Sequence, residues 1–405
     1  MEPQQETKVA GKYDVAVIGG GPAGASGAFY AAKSGLRVVL LEKQAYPRQK
    51  PCGGALSGRC VPLLGEHARA SINSKVDTLH LFSPSHQFLI QPTEDSFFVR
   101  REEFDMAMAR DAREAGAHVM DNCRVKNVTR MPTGEYKIET TGNPVFASYI
   151  IQATGFQKNA FNQPLLNREA FEADYLAMTV VSETPIDKAI LTPLGYTGYS
   201  AGIFFGAVPN GYGWCFIKNG FINIGIGASA HLLKSDGAIH YYHQFVAKLR
   251  ELGQLPPHLK LEKERAFPLP FKRTVHQTVF ENILLAGDIA GFVSPVTGEG
   301  LYYAIKSGQL AATAIANHLQ DHLPLANYQE NWLRDFGNDL NKYGRWIQKN
   351  LYKTKWRQEL MITLGRRDAK MAELLYRVVF GKTSYKKGTF KIIKRMPVAL
   401  LKLIF

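Results

Sequence analysis

The sequence predicts an α/β protein: a nucleotide-binding domain on a parallel sheet, an antiparallel sheet inserted into it, and a helical C-terminal region. Three observations predict it. Residues 13–43, "YDVAVIGGGPAGASGAFYAAKSGLRVVLLEK", read as strand, glycine turn, helix and strand. A second strand–glycine–helix unit lies far along the chain, at residues 283–315. Between them run alternating segments such as "GWCFIKNGFINIGIG", the pattern of an antiparallel sheet.

Val15, Val17 and Ile18 form a short β-branched run, read as a buried parallel strand. Gly19-x-Gly21-x-x-Gly24 follows, then an alanine-rich helix expected to stop at Ser34-Gly35. Gly19 permits the tight turn, Gly21 lets backbone approach a pyrophosphate, and Gly24 lets helix pack on strand. The first helical turn offers unpaired N–H groups and a positive dipole end. The next strand ends on Glu42, 18 residues after Gly24. A carboxylate there can accept hydrogen bonds from a ribose 2′- and 3′-OH and repels a 2′-phosphate, which argues against NADPH in this site. A dinucleotide is expected; the turn alone does not separate FAD from NAD.

The second unit does. Residues 283–286 run into Gly287-Asp288, a loop follows, and Gly298-Glu299-Gly300 opens a small-residue helix. Flavoproteins of the hydroxylase and reductase superfamily carry a similar segment. That resemblance implies FAD in a Rossmann-like FAD-binding domain, with Asp288 on the ribityl chain and the backbone of Gly300 and Leu301 at the flavin pyrimidine edge. A helix N-terminus there would offset the negative charge of reduced flavin near N1 and O2. In "FFVRREEFDMAMARDAREAGAHV", Phe104, Ala107, Met108, Ala112 and Ala115 mark one helix face. The same superfamily places the arginine just before this helix on FAD; spacing favours Arg101, with Arg100 as the alternative. "YIIQATGF", residues 149–156, reads as a further strand ending near the cofactor. Ala23 and Val125 complete the cofactor set that the resemblance implies.

Three more segments, "KPCGGALSGRC", "VPNGYGWCFIKNGFINIGIG" and "GFVSPVTGEGLYYAIKSG", resemble the geranylgeranyl reductase family of flavin enzymes. The resemblance runs over about residues 13–318. The family's P-x-x-Y-x-W-x-F-P-K motif falls on Pro209, Tyr212, Trp214, Phe216 and Lys218, with Ile217 where the family has proline. It implies that Tyr212, Trp214 and Phe216 line a substrate cavity. It also implies that Cys52 and Gly53, with Gly54, pack over the isoalloxazine, Cys52 as an active-site thiol. The plainer alternatives are a buried small hydrophobe at Cys52, ordinary core for Tyr212 and Trp214, and a surface position or ion pair for Lys218. The implied activity is FAD-dependent saturation of isolated C=C bonds in a prenyl chain, by hydride transfer plus protonation. Such an alkene has no carbonyl to polarise, so it must be held flat over the ring in a dry slot. Its binding must come from apolar burial, ~0.8 kcal/mol per CH₂. The expected catalytic residues are Cys52 and Tyr212, with Tyr212 or a water as proton source. Expected partners are a prenyl lipid or prenyl diphosphate and an electron donor, NAD(P)H or ferredoxin. No second GxGxxG is visible, so a tightly held nicotinamide is not expected.

Composition is that of a globular protein, 45% hydrophobic and 21% charged. Residues 341–405 hold 17 Lys and Arg against 3 acids, a net of +14 that equals the charge of the whole chain. There the basic residues interleave with Trp346, Leu351 and Trp356 and the chain ends on "GTFKIIKRMPVALLKLIF". That reads as an anionic-membrane-surface element, worth ~1 kcal/mol per charge, or else as a cap on the substrate domain. No recognition motif points to nucleic acid. The four cysteines show no zinc spacing, so no metal site is expected and the thiols read as reduced. A polar N-terminus and the absence of an 18-residue apolar run suggest a cytoplasmic protein, peripheral at the inner membrane face. The expected domains are 12–75 with 100–175 and 276–325 for FAD, 76–99 with 176–275 for substrate, and 326–405 as the basic helical region. Competing readings are a flavin-dependent aromatic monooxygenase or halogenase of the same fold, and a non-catalytic membrane-associated flavoprotein. The first is disfavoured by Thr154-Gly155 where many hydroxylases carry Asp-Gly.

Overall fold

The computed structural model describes residues 11–156, 176–230, 237–271 and 274–404. The polar N-terminus and residues 157–175, part of the expected FAD domain, lie outside the described residues.

β1 (Lys12–Ile18) occupies the middle of the first sheet. β2 (Val38–Leu41) runs parallel to it on one side and β3 (Val145–Gln152) on the other. His118–Met120 extends the parallel order beyond β2, and Ile283–Leu285 extends it beyond β3. Val15, Ala16, Val17 and all of β2 are buried, as strands covered on both faces must be. α1 (Pro22–Lys33) starts with proline in its first turn, where a missing N–H costs nothing, and ends at Ser34 with Gly35 at φ +81°. α2 (Arg101–Glu114) buries Phe104, Met108 and Ala112, the predicted face.

α3 (Leu301–Asp321) follows the second glycine unit and packs directly on α1. Small residues permit the approach: a Cβ on Gly308 would collide with the Ala23 carbonyl. Ser26 Oγ donates to the Ile305 carbonyl at 2.8 Å across the same seam. The helices that begin at the two glycine units are thus clamped side by side, which sets both units against one space.

The second sheet has the order β8-β4-β7-β6-β5, formed by β4 (Leu176–Pro185), β5 (Ser200–Phe205), β6 (Gly211–Lys218), β7 (Phe221–Ser229) and β8 (Arg265–Pro270). Thr78–Phe82 and Gln87–Ile90 continue it beyond β5. The sheet is antiparallel as expected except at one junction, where β5 and Thr78–Phe82 run parallel. Only adjacent hairpin strands are constrained to be antiparallel, and these two are far apart in sequence. Ile217, 3% exposed, pairs with Ile222, so β6 runs unbroken to Lys218 where proline would interrupt it. A small third sheet joins Ala55–Ser57, Ser96–Val99 and Ile72–Lys75.

α4 (Lys355–Arg367), α5 (Ala369–Val379) and α6 (Tyr385–Ile404) end the chain. Ile362, Leu364, Met371 and Leu375 share a core with Leu81, Phe88 and Phe205 of the second sheet, so the basic region caps that sheet. Buried Asp368 caps α5 at the Met371 amide, 2.9 Å, and holds Arg395 at 2.6 Å and Lys402 at 3.1 Å. Burial works against its charge, yet Arg395, the Met371 amide and Lys402 hold its carboxyl well below the usual range.

Candidate active site

A cavity of about 470 Å³ lies between the first two sheets. At one end stands the turn after β1. Gly19 takes φ +102°, and a Cβ there would strike the Ala153 carbonyl. Gly21 and Ala23 line the cavity, but Gly24 does not. It sits behind the turn, where a side chain would run into the Gly19 carbonyl, so its part is packing rather than contact. Glu42 is 5% exposed at the end of β2. Its Oε2 accepts from the Gly20 amide at 2.7 Å and its Oε1 from the Gln44 amide at 3.1 Å, which fixes the carboxylate beside the turn.

Sequence reasoning missed Arg48. Its guanidinium is 9% exposed, and Nη2 pairs with Asp105 at 3.1 Å. Nε lies 3.4 Å from Glu42 and makes no hydrogen bond among the described residues. A Cβ on Gly21 would lie only 3.5 Å from Nη2. A buried guanidinium with an unused donor, facing a glycine turn at a helix N-terminus, fits a pyrophosphate. The turn, the fixed carboxylate and this arginine together fit a dinucleotide.

At mid-cavity, Arg101 is held by two parallel bonds to Asp105, both 2.8 Å. Burial opposes its charge, while Asp105 and Cys52 more than offset this. Arg100 is turned away onto Phe221 and its own acidic neighbours, so the favoured arginine is the one at the cavity. Val125, Asp288, Gly300 and Leu301 also line it. Burial raises the Asp288 carboxyl above its ordinary value, opposed by Lys50 and Arg101. Gly300 caps α3, so the first turn of that helix points into the cavity. Arg59 clamps the adjoining Glu299 at 2.7 Å and stacks on Tyr302.

The other end is aromatic. Tyr212, Trp214 and Phe216 line the cavity from one face of β6, with Tyr212 and Trp214 ring centres 6.0 Å apart. The Tyr212 hydroxyl donates to the Thr297 carbonyl, so its proton is already engaged, and burial raises its pKa further. Cys52 and Gly53 face this wall, and a Cβ on Gly53 would crowd Phe216 and Trp214. Asn223, a second omission of the sequence reading, ties the pieces together. It accepts from Trp214 Nε1 at 2.8 Å and donates to the Cys52 carbonyl at 3.0 Å. Lys218 makes the structural ion pair, 2.7 Å to Glu183.

Lys50 is a third omission. It reaches into the cavity with Nζ 2.8 Å above the Phe267 ring. Burial pulls its pKa down to about 7; Asp288 opposes this and Arg101 reinforces it. One signal was present for both cations. They are two of the three basic residues, with Lys43, of the short loop between Glu42 and Cys52-Gly53, two segments already assigned to the cofactor.

Two remote loops around one cavity, a dinucleotide turn at one end and a greasy wall at the other, define an FAD-dependent oxidoreductase. The pyridine nucleotide-disulphide oxidoreductase family matches residues 13–179. A menaquinone reductase of Mycolicibacterium smegmatis is 30% identical over 74% of this chain and 75% of its own. The chain belongs to the geranylgeranyl reductase family. A geranylgeranyl diphosphate reductase of Rhodobacter capsulatus is 27% identical over 87% of this chain and 88% of its own. Among solved structures, a geranylgeranyl bacteriochlorophyll reductase-like protein of Thermoplasma acidophilum has the same fold. It superposes with a TM-score of 0.77 at 22% identity, over 88% of this chain and 92% of its own. The fold also recurs in a flavin-dependent halogenase, TM-score 0.67 at 20% identity, over 88% of this chain and 73% of that one.

Proposed function

We propose that the protein saturates isolated double bonds of a prenyl chain carried by a membrane lipid or a diphosphate. The observation that carries this reading is the wall of Tyr212, Trp214 and Phe216, extended by Phe267 and Leu269 and continued by Cys52-Gly53, which packs against it. It offers area for a hydrocarbon chain and little for a polar ring. Burying each methylene there contributes ~0.8 kcal/mol.

Bound FAD supplies the hydride at its N5. The proton for the other alkene carbon would come from Tyr212 or a water, and the remaining residues bind and orient. The amides of the β1 turn and Arg48 would hold the pyrophosphate, Glu42 the adenosine ribose, and Asp288 the ribityl chain. The α3 N-terminus at Gly300 and Leu301 would offset negative charge on the reduced flavin. Cys52 and Gly53, packed on Phe216 and Trp214, would help close the aromatic end and exclude water. Lys50 and Arg101 place cations beside Cys52 and Asp288. The reductant would be a nicotinamide or a ferredoxin.

The test is anaerobic. The flavin is reduced with dithionite, candidate prenyl lipids and diphosphates are added, and reoxidation is followed with mass analysis. One added H₂ per double bond with concurrent reoxidation supports the reading; a reduced flavin left unchanged by every candidate refutes it. The halogenase-like likeness rests on fold alone, and oxygen-dependent hydroxylation or halogenation of an aromatic compound would move the assignment there. Bound flavin inert to every reactant would favour a non-catalytic role.

A further inference from the structure

The outward face of α6 carries two adjoining stripes. Phe390, Ile393 and Leu401 are 60, 54 and 55% exposed, with Leu400 and Pro397 beside them. At about 100° per residue these five fall within roughly 100° of arc. Lys394, Lys387, Lys391 and Lys402 occupy the next ~80°, and Lys386 falls among the apolar residues. The segment contains no acid.

These side chains do not protrude from a loose tail. The opposite face buries Tyr385, Gly388 and Ala399. The Tyr385 amide donates to Asp339 at 2.6 Å at one end, and Arg395 and Lys402 grip Asp368 toward the other. A helix anchored at both ends holds a row of large apolar groups in water, next to Lys387, Lys391 and Lys394, which form no ion pair among the described residues, while Lys402 is held by Asp368. We propose that this face docks on an anionic lipid bilayer. Phe390, Ile393 and Leu401 enter the boundary between headgroups and acyl chains, and Lys387, Lys391 and Lys394 lie on the anionic headgroups. Charge complementarity selects this occupant over a second copy of the chain, whose matching face is equally basic.

Val379 and Phe380, just before α6, line the cavity, so α6 follows directly on a segment of the cavity wall. The proposal rests on the prenyl-lipid reading for its purpose only; the binding test needs no turnover.

The flavin-loaded full chain is sedimented with vesicles of phosphatidylglycerol and phosphatidylcholine, and with phosphatidylcholine alone. Binding to the anionic vesicles is expected. Lys387→Gln, Lys391→Gln and Lys394→Gln should each weaken it about fivefold, the effect of one charge at such a surface. Joint replacement Phe390→Ser, Ile393→Ser and Leu401→Ser should abolish it, with flavin content and thermal midpoint retained. Wild-type protein left in the supernatant at low salt overturns the proposal, and so does wild-type binding by the triple-serine variant. Self-association that the same serines reverse, without vesicle binding, overturns it in favour of a second copy. Reduction of a detergent-dispersed prenyl lipid, measured alongside, separates the two readings. Vesicle binding without any reduction leaves docking supported and removes only the substrate assignment.

Discussion

At Gly54 the backbone takes φ +72°, and a Cβ would meet the Val99 carbonyl and Lys218 Nζ. Gly54→Ala should therefore cost roughly 1–3 kcal/mol, read as a lower urea midpoint. Lys50 gives a pH signature. Its pKa is about 7 when folded and 10.5 ordinarily, so between those values the unfolded chain binds a proton the folded chain lacks. Stability must then rise with pH across that window. Lys50→Met should flatten the rise, and equal slopes for the two proteins would contradict its burial. Single residues were legible where backbone geometry admits one residue type, as at Gly19 and Gly54. Arg48, Lys50 and Asn223 were not, because what makes them matter is the strand or loop that comes to face them.

Among the elements, β6 and the Cys52 loop depend on one amide. Asn223→Ala strands Trp214 Nε1 and the Cys52 carbonyl, a cost of about 1–3 kcal/mol. The freed loop should also let a maleimide label Cys52 faster, while buried Cys60, Cys123 and Cys215 stay protected. An unchanged labelling rate would show that the loop is held otherwise. α5 and α6 are joined through Asp368. Asp368→Asn should cost roughly 3 kcal/mol, since it leaves Arg395 without its buried partner. Because its folded pKa is depressed, that contribution is present above the ordinary carboxylate range and lost as pH falls below it. The strand–turn–helix units were readable from hydrophobic period and glycine placement. The parallel junction of β5 with Thr78–Phe82 was not, because no local pattern encodes a pairing between distant strands.

Across the whole molecule, the clamp of α1 on α3 is what turns two distant sequence segments into one site. The sequence placed the first segment at a dinucleotide by its glycine spacing and the second only by resemblance; the glycine contact at Gly308 supplies the physical reason that they share one site. The basic C-terminal region had two readings, cap or membrane element. Packing against the second sheet establishes the first, and the outward face of α6 leaves room for the second on the same helix. No helix among the described residues is long and apolar enough to cross a membrane, so any such attachment is made from the surface.

Flavin content tests the central claim most directly. Purified wild-type protein should carry about one FAD per chain, and Glu42→Arg at the first loop and Asp288→Ala at the second should each lose most of it while staying folded by circular dichroism. A colourless wild-type protein that refuses added FAD would contradict the account, as would full flavin retention after either substitution.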